Sequence, residues 1–228
     1  MSMNCNISAG NVKAFAKSLV SLSKLGEEVY FQSSEDGLSL RTVNLNHSAF
    51  AHFLFRPNFF TGFKHGNGNC KITAKAALFT FKPGLMLEKG IERCSIEAEE
   101  ERLLFKFLCN YGICKTFRLC IMDSEKLQAV YSKENSKNKI LAPFRILVDA
   151  AGTFHTSLEE ITLVVTRNGV VLKNYVDDEP EPQKVLQTVT RLESSEFHEF
   201  RCPEDTELTF CLKEFRVIIV GGLGCLDC

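Results

Sequence analysis

The 228-residue sequence contains no tryptophan, only six prolines and no run of 18 apolar residues. Without such a run we expect no membrane-spanning helix, and therefore no membrane partner. The opening residues, Met1 to Cys5, lack the charged and then apolar order of a signal peptide, so we expect a reducing compartment. The net charge of −1 gives no overall basicity that would indicate a nucleic-acid-binding protein.

Motifs that would indicate an enzyme are also missing. The chain has no glycine-rich phosphate loop and no HExxH, and its five histidines are scattered. Among the ten cysteines only Cys225 and Cys228 have ligand-like spacing, and no second pair completes a zinc site. We therefore expect free thiols, no metal and no other cofactor. The alternative is a Mg²⁺-dependent 3′–5′ exonuclease using the acidic run from Asp177 to Glu181, although Pro180 and Pro182 favour a solvated loop.

A helix followed by an antiparallel hairpin is predicted near the start of the chain. Apolar residues recur at helical spacing from Val12 to Leu22, with Asn11 as the expected N-cap and Gly26 as a left-handed helix stop. Two β-like runs then follow, joined through Asp36-Gly37, and this dipeptide favours a tight hairpin turn.

The same unit returns in the second half of the chain. Pro143 opens a helical stripe, and Asn168-Gly169 repeats the turn at an offset of 132, since 169 − 37 = 132. A further match relates residues 208–215 to residues 72–79 at an offset of 136. After Arg216 the run 217–224 has neither helical spacing nor charge, so we expect the helix to stop there. The sequence predicts two similar α+β domains: 1–122, a connector at 123–142, an incomplete second domain at 143–216 and a divergent tail at 217–228.

The helices concentrate positive charge. In the first helix Lys13, Lys17 and Lys24 share the face opposite the apolar stripe. Lys75 and Lys82 share a face of the second helix, Lys213 and Arg216 share one of the fourth, and the third offers only Arg145, offset by Asp149. We interpret three of these four polar faces as cationic and free of acid. If the faces line one surface, they form a positive strip that can follow phosphates without reading bases. The alternative is a set of ordinary solvated lysines.

Several segments resemble the Rad-nine subunit of the DNA-damage checkpoint clamp, most closely its B-type paralogue. They are Gly10–Lys13, Glu35–Asn44, Phe53–Phe55, Met86–Lys89, Leu127–Val130 and Thr209–Arg216. The resemblance implies the sliding-clamp (PCNA-like) fold, in which each subunit has two similar α+β domains with helices facing the hole of a ring. It also implies a non-enzymatic, nuclear role in DNA-damage signalling and repair.

The partners implied by the resemblance are two paralogous clamp subunits of the Hus-one and Rad-one types, a clamp loader, double-stranded DNA, and repair and checkpoint proteins. The helix cations given above would face the DNA. Subunits would join through strand edges carrying Phe117, Leu119 and Ile121 in the first domain and Val185, Gln187 and Val189 in the second. Partner peptides would bind near Leu127, Val130 and Tyr131.

The chain departs from the family pattern after Arg216, where family members complete the second domain and continue into a phosphorylatable tail. The alternative function is therefore a truncated isoform that sequesters clamp partners without binding DNA.

Overall fold

A computed structural model describes residues 3–66, 68–81, 90–123, 136–175 and 187–223, with the backbone alone for residues 220–223. These residues divide into two compact units, one within Met1–Ala129 and the other within Val130–Leu223. No helix in the described ranges has the length and apolarity needed to cross a membrane.

The first unit has two antiparallel sheets. Its helices are α1 (Ala9–Leu25) and α2 (Ala74–Thr80), and its strands are β1 (Asn4–Ser8), β2 (Glu28–Ser34), β3 (Gly37–Val43), β4 (Phe50–Phe55), β5 (Gly62–Lys64), β6 (Gly68–Thr73), β7 (Ile91–Ala98), β8 (Arg102–Cys109) and β9 (Cys114–Cys120). The strand orders are β4-β3-β2-β6 and β5-β1-β7-β8-β9. The two helices pack against each other, and the apolar faces of helices and sheets share one core.

Aromatic rings fill the centre of this core. Phe15 of α1 is fully buried, with its ring centroid 5.1 Å from that of Phe55 and 5.8 Å from that of Phe81. Phe81 in turn contacts Phe105 of β8 at 5.2 Å. Each fully buried side chain of this size contributes about 1.5–3 kcal/mol. The apolar stripe of the predicted first helix therefore anchors α1 to both sheets.

The core also encloses four thiols, those of Cys5, Cys70, Cys94 and Cys109. Burial raises the pKa of the Cys5 and Cys70 thiols to about 12, and it raises the pKa of the Cys94 thiol as well. Cys114 and Cys120 are exposed on β9, and all six are free cysteines, as predicted.

The second unit repeats part of this arrangement. Its helices are α3 (Phe144–Gly152) and α4 (Leu212–Leu223), and its strands are β10 (Lys139–Leu141), β11 (Glu160–Thr166), β12 (Gly169–Asn174), β13 (Val189–Glu193), β14 (Glu199–Arg201) and β15 (Thr206–Cys211). The strand orders are β13-β12-β11-β15 and β10-β14. Strand β10 lies inside the stretch expected to be connector and pairs with β14 of its own unit.

The strand registers confirm the internal repeat. Ser34 pairs with Gly37 in the first hairpin and Thr166 with Gly169 in the second, so both members shift by 132. Gly37 and Gly169 have φ values of 133° and 156°, which explains the glycine after Asp36 and after Asn168.

The second predicted offset is wrong by two residues. Val29 pairs with Ile72 and Ile161 with Phe210, so the equivalent residue follows at 210 − 72 = 138 rather than 136. The helix starts agree, because α2 begins at residue 74 and α4 at residue 212. The short apolar matches in the sequence were compatible with either offset, and only the hydrogen-bond ladder distinguishes them.

The ends of α1 also differ from the prediction. The helix begins at Ala9, and the Asn11 side chain donates to the Phe59 carbonyl at 2.8 Å instead of capping the helix. Gly26 is extended, with φ −131°, rather than left-handed. It is needed for a different reason: a Cβ at this position would lie 2.2 Å from Thr42 Oγ1 and 2.5 Å from the Val43 carbonyl oxygen.

Helix α4 extends beyond its predicted end at Arg216 and reaches Leu223. Leu212 and Ile219, two turns apart, are both buried. Packing of α4 against α3 therefore outweighs the low helix propensity of the β-branched run 217–220.

Candidate nucleic-acid interface

The exposed face of α1 carries only positive charge. Lys13, Lys17 and Lys24 are all exposed, as their spacing predicted. Lys13 and Lys17 are one turn apart, and Lys24 lies about 16 Å from Lys13 along the axis at ~1.5 Å per residue. The helix contains no acidic residue, so no charge on α1 offsets them.

Helix α2 continues this pattern over a shorter length. Lys75 is exposed and α2 contains no acidic residue. The predicted partner on this face, Lys82, lies outside the described residues. The first two helices therefore expose four lysines, three on α1 and one on α2, and contain no acidic residue.

Ion pairing separates these lysines from others in the chain. Within the described ranges, ion pairs join Lys71 to Glu28, Lys106 to Glu97, Lys137 to Glu204, Lys139 to Glu199 and Lys173 to Glu207. Each of these five lysines lies in a strand or just before one, whereas none of the four lysines on α1 and α2 has an ion-pair partner among the described residues. The charge of the helix lysines is thus available to an external anion.

The third helix has little net charge. Arg145 is exposed, but Asp149 follows four residues later and is exposed too. Side chains at this spacing share a helix face, so their fields largely cancel at a distance.

The fourth helix differs from the prediction of an acid-free face. Lys213 is exposed, but Glu214 lies in the first turn beside it. Arg216 donates from Nη2 to the carbonyl oxygens of Ala151 (2.8 Å) and Phe154 (2.7 Å) at the end of α3. A cation bound to the last carbonyls of a helix stabilises that end, so Arg216 has a structural role.

The strands predicted to join subunits are both sheet edges in the described part of the chain. β9 pairs only with β8, and β13 only with β12. The residues predicted for this edge face inward: Leu119 of β9 is buried, and Phe117 of β9 and Ile121, just after the strand, pack against the core. The opposite face exposes Cys114, Thr116, Arg118 and Cys120.

An apolar patch on α2 lies next to this edge and was not predicted. Phe79 is 58% exposed, and its ring centroid is 6.5 Å from that of Phe117. Leu78 beside it is 37% exposed. Two consecutive apolar residues on the polar side of a predicted helix were the signal that could have revealed the patch.

The second edge is more polar. Val189 is 45% exposed and Gln187, just before β13, is also exposed. Of the three residues expected on this edge strand, only Val189 lies in β13 (Val189–Glu193), and Val185 lies outside the described residues.

The other predicted sites fall where the structure gives no description. The groove residues Leu127, Val130 and Tyr131, the acidic run 177–181 and the pair Cys225/Cys228 all lie outside the described ranges. Within those ranges, no three His, Cys, Asp or Glu side chains come close enough together to hold a metal ion.

The fold defines the class of protein. A solved structure of proliferating cellular nuclear antigen from Entamoeba histolytica superposes with a TM-score of 0.73 and covers 97% of this chain and 85% of that one, at 15% identity. The chain thus has the PCNA-like sliding-clamp fold that the resemblance implied.

Sequence comparison then identifies the family. The Rad9 family model matches residues 15–221, and the chain belongs to this family. It is 28% identical over 223 residues to the cell cycle checkpoint control protein Rad9 of Drosophila melanogaster, covering 96% of this chain and 48% of the relative. It is 23% identical to the DNA repair protein rad9 of Schizosaccharomyces pombe, covering 99% and 63%. The chain therefore spans about half to two thirds of the length of these relatives.

Proposed function

We propose that this protein is a non-enzymatic subunit of a nuclear, heterotrimeric checkpoint clamp that encircles damaged DNA and recruits repair and checkpoint proteins. The observation that carries the proposal is a clamp fold whose first two helices expose lysines and contain no acidic residue. Family membership and the names of the relatives, which refer to checkpoint control and DNA repair, support the biological setting.

The DNA contact follows from electrostatics. Lys13, Lys17, Lys24 and Lys75 would face the duplex and interact with phosphates, with Arg145 and Lys213 adding weaker contributions because each lies near an acid. Contacts of this kind do not read the base sequence. In a closed ring the topology retains the DNA, so weak and salt-sensitive contacts are sufficient.

Assembly would use the sheet edges at β9 and β13. An edge strand presents unpaired main-chain groups that another chain can extend. At β9 the neighbouring Phe79 offers an apolar contact, and at β13 Val189 does the same on a smaller scale. We therefore assign these two side chains to the subunit interfaces.

The first experiment is co-expression with the two other clamp subunits, followed by size-exclusion chromatography with light scattering. The proposal expects a 1:1:1 complex. Phe79→Glu and Val189→Glu should each weaken it, because a charge would be buried at the interface. Tyr111→Glu and Leu208→Glu are matched controls, since these side chains are 99% and 52% exposed in the same two units.

Failure to co-purify with either partner would refute the subunit assignment. A stable binary complex would favour the alternative, a protein that sequesters a clamp partner.

The second experiment measures DNA binding by the assembled trimer as a function of salt. Replacing Lys13, Lys17 and Lys24 with Gln should lower the slope of log K against log salt by up to about 2.7, at ~0.9 per phosphate contact. The matched control replaces three ion-paired lysines, Lys106, Lys137 and Lys173, by Gln, which changes the net charge by the same amount. Equal losses in the two triple variants would show that bulk charge, not the α1 face, contacts the DNA.

A further inference from the structure

Two serines in the sequence are followed by an acidic residue at both the second and the third position, and no other serine or threonine is. They are Ser33, which precedes Glu35 and Asp36, and Ser157, which precedes Glu159 and Glu160. Acids at these positions favour kinases whose peptide-binding site is cationic, because each carboxylate can pair with a basic side chain of the enzyme. The sequence motif alone does not distinguish the two serines.

Ser33 is enclosed by the first-unit sheet. It lies in β2, where Leu38 of β3 and Gly68 of β6 pair with it on either side. The residue is buried, and its Oγ accepts a hydrogen bond from the Gly66 amide at 3.4 Å. A kinase needs an accessible segment, and surface loops supply one whereas paired strands do not. Ser33 is therefore out of reach while the sheet is intact.

Ser157 lies in the exposed loop between α3 and β11. The loop holds a turn in which the Leu158 amide donates to the His155 carbonyl at 3.2 Å. His155 Nδ1 accepts a hydrogen bond from the Ser157 amide at 3.2 Å, so it carries no proton, and the Ser157 hydroxyl donates to it at 2.6 Å. Both residues are exposed. A kinase can therefore replace this hydrogen bond without opening the fold.

The two acids after Ser157 are fixed in position and are not neutralised. The main-chain carbonyls of Glu159 and Glu160 both accept hydrogen bonds, and their side chains are exposed. In the part of the chain that the structure describes, neither carboxylate forms an ion pair. Other acids of the second unit each bind a lysine, at Glu199, Glu204 and Glu207. The charge of Glu159 and Glu160 is thus available to a cationic enzyme site.

We propose that Ser157 is a phosphorylation site for a kinase that recognises acidic segments, and that its phosphate loosens the end of α3. The Ser157 oxygen forms a bond to the γ-phosphorus of ATP, the bond from that phosphorus to the bridging oxygen breaks, and ADP leaves. The hydroxyl proton passes to the kinase. The inference goes beyond the clamp function proposed above, since it requires neither ring assembly nor DNA.

The end of α3 is sensitive to a new anion because Arg216 binds it. Arg216 donates to the carbonyls of Ala151 and Phe154, and Phe154 precedes Ser157 by three residues. A phosphate carries about two negative charges, so it repels the partial negative charge of the helix end. It is also a stronger acceptor than a carbonyl and competes for Arg216. Both effects weaken the same contacts, so we expect faster hydrogen–deuterium exchange in residues 144–154.

The test treats the full chain with ATP and a purified serine/threonine kinase that prefers acidic peptides, and mass spectrometry maps the phosphorylated residues. Two synthetic peptides, residues 28–38 and 152–162, are treated in parallel. We expect comparable rates at Ser33 and Ser157 in the peptides, but at least about tenfold faster phosphorylation of Ser157 in the folded chain.

Paired substitutions separate the local acids from overall charge. Glu159→Gln with Glu160→Gln should slow the phosphorylation of Ser157 at least about tenfold. Glu193→Gln with Glu196→Gln, two exposed acids of the same unit, should leave the rate unchanged. Exchange in residues 144–154 is then compared between the phosphorylated and the unmodified chain, with Ser157→Ala treated in the same way as the control.

Equal rates at Ser33 and Ser157 in the folded chain would overturn the assignment, as would a 152–162 peptide that the kinase does not modify. Unchanged exchange in residues 144–154 after complete phosphorylation would overturn the effect on α3. If a substituted chain does not fold, the comparison of the two serines in the wild-type chain still decides the outcome.

Discussion

Replacing Gly26 by alanine should destabilise the first unit through a defined steric conflict. The new Cβ would lie 2.2 Å from Thr42 Oγ1 and 2.5 Å from the Val43 carbonyl oxygen, whereas ordinary contacts begin at 3.4 Å. The α1–β2 junction and β3 must therefore separate by about 1 Å, since 3.4 − 2.2 = 1.2 and 3.4 − 2.5 = 0.9. Thr42 cannot move freely, because its hydroxyl is buried and donates to the Glu28 carbonyl at 2.6 Å.

The magnitude follows from these contacts. Overpacking of this kind costs about 1–3 kcal/mol. Loss of the Thr42 hydrogen bond would add about 1–3 kcal/mol. The lower entropy of the unfolded alanine chain offsets about 0.4–1 kcal/mol. We expect a net destabilisation of about 2–4 kcal/mol by Gly26→Ala.

Hydrogen–deuterium exchange mass spectrometry measures this loss region by region. Peptides from α1 and β3 should lose protection, while those from the second unit provide an internal reference. The control is Gly10→Ala, because a Cβ at Gly10 meets nothing within 4 Å and alanine favours the helix by up to about 1 kcal/mol. A change below about 0.5 kcal/mol for Gly26→Ala would refute the argument, since it would mean that the helix end moves away without cost.

Three further predictions concern single side chains. Arg216→Gln should remove both hydrogen bonds to the end of α3 and increase hydrogen–deuterium exchange in residues 144–154. Lys213→Gln should leave this exchange unchanged. Equal exchange in the two variants would contradict the structural role of Arg216. The pKa of His52 is lowered in the folded state, so the unfolded state binds the proton more tightly. The free energy of unfolding should therefore decrease as pH drops below about 6.5. Urea titrations should show that His52→Gln flattens this dependence. Iodoacetamide at pH 8 should modify Cys114 and Cys120 in the folded protein but spare Cys5, Cys70 and Cys94, because these three are buried and their raised pKa values keep the thiols protonated. Peptide mapping that finds these five cysteines modified at similar rates would contradict the burial.

Local signals account for the parts of the fold that were predicted correctly. The dipeptides Asp36-Gly37 and Asn168-Gly169 fix two hairpins because the glycine conformation they require is a property of a few neighbouring residues. The alternation of Met3, Cys5 and Ile7 similarly predicts β1, and all three side chains are buried. Periodicity also predicted which lysines of α1 are exposed, although their role in DNA binding remains a proposal.

The errors lie where distant residues decide the outcome. Gly26 is required by Thr42 and Val43, which approach it only in the folded sheet. The last turns of α4 depend on packing against α3, which the uncharged run 217–223 does not reveal. The contacts of Glu28 with both Lys71 and Tyr30 depend on strand register, so they could not be derived from the sequence.

One main-chain contact occurs in both units and bears on how the two halves could diverge. The amide of Ala74 donates to the Glu27 carbonyl at the start of α2, and the amide of Leu212 donates to the Glu159 carbonyl at the start of α4, each at 2.8 Å. Such a bond does not depend on the side chain, so alanine in one copy and leucine in the other satisfy it equally. Mutations can therefore alter the helix faces independently, which is consistent with lysines alone on α1 and α2 and mixed charges on α3 and α4. A duplicated backbone of this kind leaves each half free to acquire its own ligand.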